Sequence, residues 1–293
     1  MRKMSEVAAS SDESVLKHAG KPASAGLHLL RRMLQHPVPF VVGIALLAAW
    51  ALYAYRPTEE PTIRVAAAAD LKFALDEVIK EFQRQYLQIT VKVSYGSSGS
   101  FFAQLSQSAP FDIFFSADRA YPQRLIEQGL ALKETEFLYA VGQIVLWVLR
   151  PSAIETLGVE ALLSPTVKKI SIANPRHAPY GFAAEAALRF FDIYETIQPK
   201  LVYGENVMHA AQFVQSGAAQ IGIIALSLAL APTLHEQGRF WEFPLESYPR
   251  LEQGGVILSW ARDRESTQLL RDFVLSAQGR AILKDYGFFL PGE

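Results

Sequence analysis

The sequence predicts an α/β protein of two lobes, each a mostly parallel sheet flanked by helices, behind one N-terminal apolar helix. Two observations carry that reading. From Ile63 onward, short apolar runs alternate with amphipathic stretches of helical length, the pattern of parallel strands covered on both faces. Four of the apolar runs also break into loops of small residues that open a helix: Ala66-Ala67-Ala68-Ala69-Asp70-Leu71, Gly96-Ser97-Ser98-Gly99-Ser100, Pro179-Tyr180-Gly181 and Gly204-Glu205-Asn206-Val207. The first N–H groups of a helix lack intrahelical acceptors and carry the positive end of the macrodipole, so such loops are sites for anions.

The first sixty residues differ in kind. Positions 1–36 read as a polar, basic cytoplasmic leader ending near Arg31-Arg32, and 37–55 as an uncharged membrane-spanning segment. Basic residues precede the span and Glu59-Glu60 follow it, which places the large domain outside the cytoplasm. Ala49-Trp50-Ala51 offers a signal-cleavage pattern, but the long leader and the continuation of the apolar run through Tyr53 favour an uncleaved anchor. Residues 56–62 are a short linker.

In the exported part, Ile63 to Ala68 is a strand and Asp70 to Tyr86 a helix with Asp70 as its N-cap. Ile89 to Ser94 is a strand, Phe101 to Ser106 a helix, Asp112 to Phe115 a strand, and Tyr121 to Gln128 a helix stopped by Gly129. Tyr139 to Leu149 is a long apolar strand. Further strands are expected at Lys169 to Ala173, Leu201 to Tyr203, Gln220 to Ala225 and Gly255 to Trp260, with helices at Phe182 to Tyr194, Val207 to Gln215 and Ser266 to Tyr286. The chain is expected to cross between lobes near 141–145 and 250–256. That puts 63–142 with 254–293 in the first lobe and 143–253 in the second.

Composition narrows the function classes. With 28 basic and 29 acidic residues there is no electrostatic case for nucleic acid. The absence of cysteine excludes disulfides and thiolate chemistry, and the six histidines show no metal-ligand spacing. Ser98, His177 and Asp118 make a hydrolase triad only on paper, since no G-x-S-x-G elbow presents the serine. Asp112 and Asp118 read as turn and capping groups, and Arg176 and His177 as loop-bracing groups. No enzyme activity and no cofactor are expected.

At these loops the sequence resembles the exported molybdate-binding proteins of ABC importers, which have the two-lobed periplasmic binding protein fold. The likeness rests on Val65 to Leu71, the Gly-Ser-Ser-Gly loop, Phe115-Ser116-Ala117-Asp118, Asn174 to Gly181, Gly204 to Val207 and Gly222-Ile223-Ile224, in that order and spacing. The resemblance implies that a tetrahedral oxyanion, molybdate or tungstate, is held by hydroxyls and main-chain N–H groups at Asp70, Ser98, Tyr180, Val207 and Ala225, with no cation site. Ala69, Ser97 and Ser227 are secondary candidates. Asp70 stands where the family often has serine and Ala225 where it often has tyrosine, so Ser227 or the Tyr180 hydroxyl is the substitute on offer. A monomer is implied, partnered by a permease and, through it, a cytoplasmic ATPase. Sulfate or phosphate binding, or a membrane-tethered anion sensor, are the alternatives.

Overall fold

The structure, a computed structural model, describes residues 37–54 and 61–293. The expected leader 1–36 and most of the linker fall outside these residues. Pro37–Ala54 form an uncharged helix of 18 residues that is equally apolar on all sides. At 1.5 Å per residue it is about 27 Å long, short of a hydrocarbon core of about 30 Å. Among the described residues no helix is long and apolar enough to cross a membrane.

Residues 60–293 are a compact unit of their own built on two five-stranded sheets. The first contains β1 (Thr62–Ala68), β2 (Thr90–Gly96), β3 (Ile113–Ser116), β4 (Phe137–Gly142) and β10 (Leu251–Ile257), in the order β2-β1-β3-β10-β4. The second contains β5 (Ile144–Leu149), β6 (Ile170–Ala173), β7 (Leu201–Gly204), β8 (Ile221–Ala225) and β9 (Gly238–Glu242), in the order β7-β6-β8-β5-β9. In each sheet the first three strands pair in parallel and the fourth pairs antiparallel to both neighbours. Each sheet is therefore parallel but for one reversed strand, and that strand is the one that arrives from the other lobe.

The apolar run Tyr139 to Leu149 is two strands rather than one. It divides at Gln143, which lies between β4 of the first sheet and β5 of the second. The return passage lies between β9 and β10, and the first sheet takes in Leu251–Ile257 whole, so it begins before position 254. The expected closing helix is likewise two, Arg264–Leu275 and Ala277–Asp285. Ser276 between them is extended; its hydroxyl accepts from the Gly279 N–H (3.2 Å) and donates to the Phe273 carbonyl (2.6 Å), stopping one helix and capping the next.

The inner strands of both sheets are buried on both faces, and the edge strands β2 and β9 are half-exposed. Phe82, Phe114, Phe115 and Tyr139 are among the largest fully buried side chains of the first lobe, and Trp147 and Ile144 of the second. One apolar cluster runs from the second lobe onto Ala68, Ala69 and Ala117 of the first, so the lobes meet through small residues at the ends of β1 and β3. The parallel strands of both sheets end at this seam, where ligands gather in open α/β sheets.

Candidate functional site

The seam holds a small cavity of about 10 Å³, the space of one water molecule, walled by Ala68 to Asp70, Gly96 to Ser98, Ala117, Ala178 to Tyr180, Asn206 and Val207. A wider groove of about 420 Å³ lies along the same seam, against Asp118, Arg119, Phe182 and Arg250. The chemistry converges on the small cavity, because three helices end there and each has one N–H left over.

In the helix Ser98–Leu105, the N-cap Ser97 accepts from the Ser100 N–H (3.3 Å), and the Gly99 N–H goes across the seam to the His177 carbonyl (2.9 Å). That leaves the Ser98 N–H. In the helix Val207–Gln215, the N-cap Asn206 takes the N–H groups of Met208 and His209, both at 3.0 Å, leaving that of Val207. In the helix Pro179–Phe190, Pro179 has no N–H, and Gly181 and Phe182 both donate to the Ala178 carbonyl, leaving that of Tyr180. Among the described residues no protein group accepts from these three. The Ser98 hydroxyl accepts from the Ala117 N–H (2.9 Å), which turns its own hydrogen free to donate. These four donors are free to meet an anion, and no lysine or arginine lines the cavity.

The remaining charged wall is Asp70, and here the structure corrects the sequence reading. Asp70 is not an N-cap: it lies inside the 3₁₀ turn Ala69–Leu71 that opens the helix Lys72–Gln85, and neither helix start has a side-chain cap. Its Oδ2 accepts from the Tyr180 hydroxyl (3.0 Å) and from Gln253 Nε2 (2.7 Å), which itself also donates to the Tyr180 oxygen (3.0 Å). Its Oδ1 is buried with no hydrogen-bond partner. Burial pushes the Asp70 carboxyl up to about 6, against the opposing pull of the bonds from Gln253 and Tyr180 and of the nearby Asp70 and Leu71 N–H groups. Burial, with Asp70 beside it, likewise holds the Tyr180 phenol well above its ordinary range.

The other expected site residues divide between the cavity wall and the structure behind it. Ala69 and Ser97 line the cavity. Ser97 Oγ also meets Ser100 Oγ and His177 Nδ1, each at 2.8 Å, so it braces the loop. Ala225 and Ser227 are not among the cavity walls: Ala225 ends β8, fully buried, and the Ser227 hydroxyl donates to the Asp70 carbonyl (2.8 Å). The Tyr180 hydroxyl, spent on Asp70, is not a spare donor either. Asp112 is structural, taking the N–H groups of Arg64 (2.7 Å) and Arg262 (3.0 Å). Asp118 caps Ala120 (2.8 Å), and Arg176 is exposed. The residue missed in the sequence is Gln253. It sits on β10 beside a register shift in which Tyr139 of β4 is the extra residue, and nothing in its neighbours' polarity marks it.

The profile of the family described as bacterial extracellular solute-binding proteins matches residues 63–289. The chain belongs to that family. Among curated relatives, this solute-binding protein is 34% identical to the molybdate-binding protein ModA of Rhodobacter capsulatus, over 68% of this chain and 77% of that one. It is 32% identical to ModA of Azotobacter vinelandii, over 78% and 90%. The solved structure of the Azotobacter vinelandii periplasmic molybdate-binding protein superposes with a TM-score of 0.73 at 31% identity, covering 78% of this chain and 99% of that one. The two-lobed solute-binding fold read from the sequence is thereby the observed one.

Proposed function

We propose that this chain captures molybdate, and also tungstate, between its lobes outside the cytoplasm and delivers it to an ABC permease served by a cytoplasmic ATPase. The observation that carries the reading is the convergence of three unpaired helix-start N–H groups and one free hydroxyl on a cavity without a basic residue. Such donors suit an anion whose charge is spread over several oxygens, and the named relatives at 32–34% identity support molybdate as that anion.

The mechanism is closure over a dehydrated dianion. Bonds across the seam join Gly99 to His177, Ser97 to His177, Ser227 to the Asp70 carbonyl, and Tyr180 to the Asp70 carboxylate. A tetrahedral oxyanion is larger than the water-sized space these bonds enclose, so the walls part slightly to hold it. The anion drives closure only by its differential affinity for the closed state, which the permease then recognises. We read the chain as a monomer held at the outer face of the membrane by the apolar segment around Pro37–Ala54. Cell fractionation of the tagged full chain tests the anchor; a soluble product beginning near residue 52 would mark a cleaved signal instead. No catalysis is proposed, because Ser98 has no base beside it: His177 Nδ1 pairs with Ser97.

The direct test of the ligand is elemental analysis of protein purified from molybdate-supplemented cells. Equimolar molybdenum is expected. Sulfate or phosphate in its place would reassign the ligand.

A further inference from the structure

Resting on the oxyanion reading above, the geometry of Asp70 sets a condition on how the anion is bound. Asp70 is 1% exposed, and it is the one charged side chain in the cavity wall. Its two oxygens are unequal: Oδ2 is saturated by Tyr180 and Gln253, while Oδ1 has no partner. The carboxylate is held in place by the two bonds to Oδ2. A Cβ on Gly142 would come within 2.1 Å of the Tyr180 hydroxyl and 2.7 Å of Gln253 Nε2, so the hinge strand packs closely behind both partners. An ionised carboxylate and a dianion would therefore share one small buried site with no basic residue lining it, an arrangement that like-charge repulsion forbids.

We propose that oxyanion capture at this site takes up one proton from solvent, held between Asp70 Oδ1 and an oxygen of the bound anion. Only an O–H bond forms and no electrons move. Placed there, the proton satisfies the orphaned Oδ1, removes the repulsion and adds a fifth donor to the anion's shell. The groups that face Asp70 cannot supply the proton's charge in another way. They are Tyr180 from the helix Pro179–Phe190, Tyr139 from β4, Gln253 from β10 and Ser227 on its main chain. Burial, with Asp70 nearby, keeps both phenols neutral. The raised affinity of Asp70 for protons, with half-protonation at about 6, makes uptake feasible in the neutral range.

The test is isothermal titration of the full chain in detergent with sodium molybdate, and separately tungstate, from pH 6.5 to 8.5 in buffers of different ionisation enthalpy. The expected results are a loss of affinity of about tenfold per pH unit above pH 7 and uptake of about one proton per anion. Asp70→Asn is expected to bind with pH-independent affinity and no proton uptake, and to exceed the wild type at pH 8.5. Asp70→Ser, also neutral, provides the same comparison if the amide variant does not fold. Binding by the wild type with a flat pH profile and no proton uptake overturns the proposal and leaves the oxyanion reading intact. A slope that survives in the neutral variants also overturns it, since the proton then sits elsewhere. Absence of binding to either anion at every pH overturns the oxyanion reading itself.

Discussion

The two lobes share one topology and divide the work of the site unequally. Setting β1, β2 and β3 against β6, β7 and β8 by their places in the two sheet orders pairs the loops that follow them. After the outer strand, Ser97 caps a helix in one lobe and Asn206 in the other, each sparing one N–H for the cavity. After the central strand, the first lobe presents Asp70 and the second Tyr180, and these two bond to each other. After the third, the first lobe presents the Ala117 N–H to Ser98, and the second sends Ser227 to the Asp70 carbonyl. Repeated topology thus supplies unpaired main-chain donors from both sides, while the free hydroxyl of Ser98 and the carboxyl of Asp70 come from the first lobe.

The sharpest way to break this comparison is to disturb the second lobe's backbone. Gly181 follows Tyr180 so closely under β6 that a Cβ there would lie 2.1 Å from the Ala173 carbonyl oxygen. Gly181→Ala should cost about 3 kcal/mol in urea unfolding and abolish anion binding. A benign substitution would mean that the Tyr180 N–H is not held rigidly.

The first lobe's carboxylate should behave oppositely. Asp70 has a native pKa of about 6 against 3.8 in an unfolded chain, so the native state binds more protons across that window and loses stability as pH rises through it. Asp70→Asn escapes the loss. Its stability should match the wild type near pH 4 and exceed it by up to about 3 kcal/mol at pH 8, as read by denaturant midpoints at the two pH values. A constant difference between variant and wild type would show that Asp70 does not titrate as a buried acid.

Ser98→Ala removes the one side-chain donor and should weaken molybdate binding by about 2 kcal/mol with little change in melting temperature. Ser106→Ala, whose hydroxyl faces Gln128 at the far end of the same helix, is the control. Equal effects from both would move the site away from this loop. Asn206→Ala should show the smallest effect: about 1 kcal/mol of stability from the lost cap, with a parallel loss of affinity as the Val207 N–H competes with newly freed neighbours. Affinity unchanged by that variant would detach the second lobe's outer loop from the site.

Much of this was legible in the sequence for a local reason. Asn206 and Ser97 precede helices directly, and capping is decided within a few residues, so the helix Val207–Gln215 is found where periodicity sets it. The features not legible depend on partners distant in sequence. Gln143 divides an unbroken apolar run because two sheets, not one, need its flanks, and polarity does not report which sheet a strand joins. Gly238–Glu242 is an edge strand with a mixed, half-exposed pattern, and it lacks the alternation that marks a strand. Asp70 carries the standard signature of a cap. Its actual partners, Tyr180 and Gln253, lie 110 and 183 residues further along the chain; Gln253 meets it only when β10 joins the first sheet, and Tyr180 only when the lobes come together.

The most direct test of the account is a crystal of the molybdate-loaded protein with anomalous data at the molybdenum edge. The account predicts a single molybdenum peak in the seam, with its oxygens within hydrogen-bond distance of the Ser98 hydroxyl and the N–H groups of Ser98, Tyr180 and Val207. A peak in the neighbouring groove against Arg119 and Arg250 would contradict it, because the anion would then be held by cations rather than by helix starts.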